Sequence, residues 1–129
     1  MATRSFIGKL LPDGKIAGVY CHFDGYPGGV GSILRESYLE PAKVDDLLAL
    51  GDLSSLAPEV GEKHSFEDPT KGWTVAYHRD RGEDLSTPHV YRNGTDLRRN
   101  VYRDLGAEYS YVFSGGEWQV IETYTYSEA

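Results

Sequence analysis

The chain has 129 residues, 40% hydrophobic and 26% charged, with a formal net charge of −7. That length suits a single domain, residues 1–129, and the apolar share is too high for a disordered chain. The acidic balance disfavours broad contact with nucleic-acid phosphates, and no apolar stretch approaches the ~20 residues that span a bilayer.

A lone cysteine, Cys21, excludes an internal disulfide. Set between Tyr20 and His22 in an apolar run, it reads as a small buried hydrophobe in a reducing compartment. The start, Met1 to Phe6, has no apolar region of signal-peptide type, so the expected location is the cytoplasm.

Thr3 to Leu10 reads as a first strand, and Pro12-Asp13-Gly14 supplies turn chemistry. Lys15 to Phe23 reads as a second strand, with Ala17, Val19, Cys21 and Phe23 on its core face. Asp24 to Gly29 breaks it. A helix follows near 29–38, with Val30, Ile33, Leu34 and Tyr38 at helical spacing and Asp24 or Ser32 as its cap. A second helix, 41–50, opens on Pro41 and stops at Gly51. Asp52 to Leu56 reads as a capped turn that lays two leucines on the core.

Residues 57–72 read as a surface loop. Trp73 to Arg79 alternates as a strand, Asp80 to Pro88 is a polar loop, and His89 to Arg92 fits a short strand. Thr95 is placed to cap a helix running to Leu105, with Leu97, Val101 and Leu105 in register and Gly106 as its end. Tyr109–Ser114 and Glu117–Thr125 form a closing hairpin over Ser114-Gly115-Gly116. The expected fold is α+β: an antiparallel sheet of two hairpins plus a middle strand, with about three helices packed on one face.

Chemistry can sit in four places. His22-Phe23-Asp24-Gly25-Tyr26 joins a strand end to a helix start, where backbone N–H groups can hold an anion; it equally reads as a tight capped turn. No phosphate-loop or dinucleotide signature follows it. Tyr77-His78-Arg79-Asp80-Arg81-Gly82-Glu83 fits acid–base work or anion binding, and fits a structural ion-pair network as well. On a strand, Arg79 stays with the sheet, within reach of a carboxylate such as Asp24, while Arg81 projects from the loop toward a ligand or partner. The four histidines show no helical zinc spacing and there is no second cysteine, so no metal, cofactor or catalytic residue is assigned. Tyr109, Tyr111 and Phe113, with Trp118, Tyr124 and Tyr126, form either a core face or an exposed protein-binding patch.

Charge is uneven. Six of the eight arginines lie between Arg79 and Arg103, so residues 78–104 carry +1 and the remainder −8. That suits a basic partner, a small anionic ligand held by a few arginines, or ordinary solvated surface.

The ordered series Tyr20-Cys21-His22-Phe23-Asp24-Gly25-Tyr26-Pro27, Leu50-Gly51-Asp52-Leu53-Ser54-Ser55-Leu56, Lys63-His64-Ser65-Phe66 and Tyr77 to Glu83 resembles a group of small bacteriophage and prophage proteins with no established activity. The resemblance implies a phage-encoded accessory protein in the host bacterial cytoplasm. Two functional readings follow. The first is a non-enzymatic module that binds a host protein, by inhibition or counter-defence, with homo-oligomerisation compatible and membrane and nucleic-acid partners disfavoured. The second is a small enzyme or anionic-ligand binder using His22, Asp24, Tyr26, His78, Arg79, Asp80, Arg81 and Glu83 as one pocket.

Overall fold

The computed structural model describes residues 2–122. Two strands, β1 (Ser5–Leu10) and β2 (Ile16–Cys21), form the expected amino-terminal hairpin, paired from Ser5↔Cys21 to Leu10↔Ile16. Its turn closes through Gly14, whose φ of 89° lies in the left-handed region that glycine adopts without strain. The closing hairpin, β6 (Tyr109–Ser114) with β7 (Glu117–Glu122), is present too. The last three residues of the strand expected over 117–125 lie outside the described residues.

The two hairpins are joined differently from expectation. β1 pairs with β6 in parallel, from Ser5↔Tyr109 to Lys9↔Phe113. A short strand β3 (Leu53–Ser55), expected as a turn, lies parallel to β2 at Cys21↔Leu53. β4 (Val75–Ala76) pairs antiparallel with β3, and β5 (His89–Tyr91) pairs antiparallel with β2. The result is a mixed seven-stranded sheet, ordered β4-β3-β2-β1-β6-β7 with β5 beside β2. An all-antiparallel sheet is therefore corrected. Hairpin turns fix the direction of neighbours in sequence, but the β1–β6 pair joins strands about a hundred residues apart, beyond the reach of any turn.

Both faces of the sheet are covered, which corrects the expectation of helices on one side. One face presents Ile7, Val19, Cys21, Tyr111 and Phe113 to a π-helical turn (Pro27–Gly31), α1 (Ser32–Ser37) and α2 (Pro41–Leu48), where Val30, Leu34, Val44 and Leu47 are buried. The other presents Phe6, Ile16 and Val112 to α4 (Gly94–Leu105), which buries Leu97 and Val101. Consecutive buried residues such as Phe6-Ile7 and Tyr111-Val112-Phe113 are the mark of strands covered on both sides.

The caps also differ from expectation. Asn93, not Thr95, caps α4: its Oδ1 accepts the Asp96 N–H at 2.9 Å, and Gly106 ends the helix at φ 72°. Neither Asp24 nor Ser32 caps a helix by its side chain. The strand expected over 73–79 shrinks to β4, and Tyr77–Arg81 turns into a short helix, α3. The Asp80 carboxylate reaches back to the Ala76 N–H at 2.8 Å, and Gly82 at φ 79° closes the turn. These local bonds satisfy backbone groups that a continuing strand would have left to a partner. No helix among the described residues is long and apolar enough to cross a membrane.

Candidate functional site

The turn after β2 is rigidly built. Asp24 sits at φ 57°, the one non-glycine residue with positive φ among those described. Its carbonyl accepts the Val30 N–H at 2.8 Å, and the Gly25 N–H reaches the Thr3 carbonyl at 2.8 Å. The buried Tyr111 hydroxyl donates to the Gly25 carbonyl at 2.7 Å. A Cβ on Gly25 would stand 2.7 Å from the Thr3 carbonyl oxygen, so the turn requires glycine there. On this frame Phe23 and Tyr26 are 46% and 45% exposed. His22 lies edge-on to Phe23, ring centres 4.6 Å apart, and its Nδ1 is 2.6 Å from the Tyr20 hydroxyl. Burial raises the Tyr20 phenol above its ordinary range.

The second candidate stretch is divided by the α3 turn. Arg79 points into the loop before β4. Its guanidinium donates to the carbonyls of Val60, Gly61 and Thr74 and pairs with Asp80 at 2.9 Å. Asp24 is not its partner. The Asp80 side chain is fully buried and also accepts the N–H groups of Ala76 and His64. Burial pushes the Asp80 carboxyl up, but Arg79 and these two N–H donors outweigh it and hold the group below the usual carboxylate range. His64 completes the network: Nδ1 accepts from the Thr70 N–H, so the proton is on Nε2, 3.0 Å from the Thr74 carbonyl and 3.3 Å from Asp80. The loop over 57–72 is thus anchored through a buried polar cluster.

Arg81 is half exposed and pairs with Glu83. Its guanidinium also stacks on Phe66 and Tyr77, 4.5 and 4.8 Å from the ring centres. It is therefore held against the surface, not projecting free as expected. His78 Nδ1–H donates to the Glu83 carbonyl at 2.6 Å.

A third group carries polar chemistry that sequence reasoning missed. The outer edge of β2 changes partner, from β5 over residues 16–18 to β3 at Cys21. In the gap, the Asp52 carboxylate accepts the Tyr20 N–H at 3.0 Å and the His89 Nε2–H at 3.1 Å. The Asp52 N–H donates to Ser86 Oγ at 3.0 Å. Burial pushes the Asp52 carboxyl up, but the bonds from His89 and the Tyr20 backbone reverse this and lower it overall. The hydrogen bond to Asp52 raises His89, against the opposing pull of burial. A cavity of about 70 Å³ beside this fork is lined by Asp52, Tyr77, His78, Glu83, Asp84 and Ser86. The sequence signal was Asp52 at the head of Leu53-Ser54-Ser55-Leu56, which reads as a capped turn.

The eight residues proposed as one pocket are therefore dispersed among three settings. His22, Asp24 and Tyr26 belong to the exposed turn. Arg79 and Asp80 are engaged by the loop over 57–72. His78, Arg81 and Glu83 hold the start of the next loop. The aromatic group of the closing hairpin is core: Tyr111, Phe113 and Trp118 are buried, while Tyr124 and Tyr126 lie outside the described residues. No three His, Cys, Asp or Glu among the described residues are grouped to hold a metal ion. No family model, no curated protein and no solved structure matches the chain.

Proposed function

We propose that this is a phage- or prophage-encoded accessory protein that binds a host protein, with the turn from His22 to Tyr26 at the centre of the contact. The observation that supports this reading is the pair of exposed aromatic rings on a turn with no slack. The backbone accepts a left-handed aspartate and consumes a buried tyrosine hydroxyl to hold Phe23 and Tyr26 in water. Exposed aromatic anchors on a preorganised frame are the usual hot spots of protein contacts. Strain kept at a surface turn points the same way. The net charge of −7 favours a basic partner and faster capture at low salt.

The test is affinity capture from bacterial host lysate with three immobilised proteins: wild type, the double variant Phe23→Ala/Tyr26→Ala, and Leu39→Ala. Leu39 is 50% exposed and serves as the apolar control. A partner kept by wild type and Leu39→Ala, and weakened at least ~10-fold by the double variant, supports the reading. Equal retention by all three proteins overturns it.

A further inference from the structure

The segment after α3 crosses the fork with almost no apolar hold. Between Glu83 and Val90, only Ser86 and His89 are even partly buried; Leu85 and Val90 are each 54% exposed. Its attachments are polar. At its start the Glu83 N–H bonds the Tyr77 carbonyl and the Glu83 carbonyl takes the His78 Nδ1–H; in its middle Ser86 Oγ takes the Asp52 N–H. At its end His89 and Val90 pair with Gly18 and Ala17 of β2, and the His89 side chain holds the Asp52 carboxylate. Apolar anchoring resumes at Tyr91, 5% exposed, which packs edge-on to Phe6. A segment held this way belongs to the low-stability end of a fold.

We propose that residues 83–90 are a strap latched over the sheet fork by the Asp52–His89 pair, and that the latch loosens when His89 loses its proton. His89 and Asp52 are 28% and 25% exposed at the side chain, so solvent screens the pair only in part. The charged groups acting on His89 from the packed elements are Asp52 ahead of β3 and Asp104 on α4. Both carboxylates favour the imidazolium. Asp52 also takes the Tyr20 N–H left without a strand partner, so the latch and the end of β2 are bound together.

The sign is fixed by the direction of the shifts. His89 is raised, so its contribution is full below the ordinary histidine value of ~6.5 and disappears as pH rises through the higher folded value. Release would bare more than the small cavity. Pro88 is one wall of a mostly apolar groove of about 340 Å³, whose other walls include Ala17 and Val19 of β2, Leu48 of α2 and the adjacent Ala49, with the Lys9–Asp45 pair also among them.

Hydrogen exchange on the full chain tests the latch, with rates corrected for intrinsic pH dependence. From pH 5.5 to pH 8, the amides that anchor the strap (Glu83, those of His89 and Val90 along β2, and the latched Asp52 and Tyr20 N–H groups) should lose ~2- to 5-fold in protection, the range of a partly exposed ion pair. Those of α4 and β6 should not. His89→Gln, which keeps a donor but cannot take a charge, should abolish the change in the strap. Binding of the apolar dye ANS should rise with pH in wild type and stay flat in His89→Gln. An unchanged strap in wild type overturns the proposal whatever the variant does. A pH response that survives His89→Gln assigns it to another group and overturns it equally.

Discussion

Arg79 directs its donors to three loop carbonyls and a buried carboxylate, whereas Arg81 lies on two rings at the surface. The two arginines should therefore respond differently to truncation. Arg79→Ala leaves Asp80 buried without its cation, which costs about 3 kcal/mol. Its thermal midpoint should fall sharply and the loop over 57–72 should become the first site of proteolysis. Arg81→Ala gives up an exposed ion pair and a stacking contact, and should cost about 1 kcal/mol or less. Thermal melts of the two variants decide the matter; equal small shifts would mean that the Arg79–Asp80 pair is not a support of the loop. The sequence expected a structural pair for Arg79 and a free, projecting Arg81; the structure gives Arg79 a different partner and holds Arg81 on two rings and Glu83. The sequence named the wrong carboxylate, because Asp80 is adjacent in sequence and becomes a partner only when α3 turns.

At the scale of elements, β2 carries the tightest constraint. A Cβ on Gly18 would stand 2.2 Å from the Ile7 carbonyl oxygen and 2.5 Å from Gly8 Cα, all backbone of β1. Gly18→Ala must push the two strands apart and should cost about 3 kcal/mol, at the upper end for overpacking. Gly94, at the start of α4, meets nothing within 4 Å and has an ordinary φ. Gly94→Ala should leave the urea midpoint unchanged or slightly raised. A Gly18→Ala variant as stable as Gly94→Ala would refute the close β1–β2 approach. The junction between α1 and the loop offers a milder test. The Tyr38 hydroxyl donates to the Ala57 carbonyl at 2.7 Å, and the Trp118 Nε1–H donates to the Tyr38 carbonyl at 2.8 Å. Tyr38→Phe should cost about 1 kcal/mol in urea unfolding, because the Ala57 carbonyl loses its shorter donor and keeps the Thr74 Oγ1–H at 3.2 Å.

For the whole molecule, the titratable groups set opposite limits on stability. Asp52 and Asp80 are both depressed in the fold, so their contributions are present above the ordinary aspartate value of ~3.9 and are lost as pH falls through the folded values. His89 is raised, so its contribution is lost as pH rises above ~6.5 and through its folded value. Stability from these three groups should therefore peak between pH ~4.5 and ~6.5. Urea unfolding across pH 3 to 8 checks this. Asp80→Asn should flatten the acid limb and leave the alkaline limb intact. A profile with the same acid slope in both proteins would remove Asp80 from the account.

Local chemistry in the sequence was sufficient for the two hairpins, α2, α4 and the turns at Gly14, Gly51, Gly82 and Gly106, because period, capping and positive φ are decided within a few residues. The buried cysteine was legible for the same reason, whereas the aromatic face of β6 fitted both a core and an exposed patch. Three things were decided only by tertiary structure. β1 and β6 became parallel neighbours, α4 took the second face of the sheet, and Asp52 met His89 across 37 positions at the point where β2 changes partner. Alternation tells which side of a strand is apolar, but not which strand lies beside it. Consecutive apolar residues fit a strand covered on both faces and a short buried helix equally well. Likewise, a polar stretch carries its charges in the sequence whether they meet a ligand or one another. The buried carboxylate of Asp80 and the exposed ring of Phe23 acquired their opposite surroundings from contacts made elsewhere in the chain, and those contacts form only when the sheet closes.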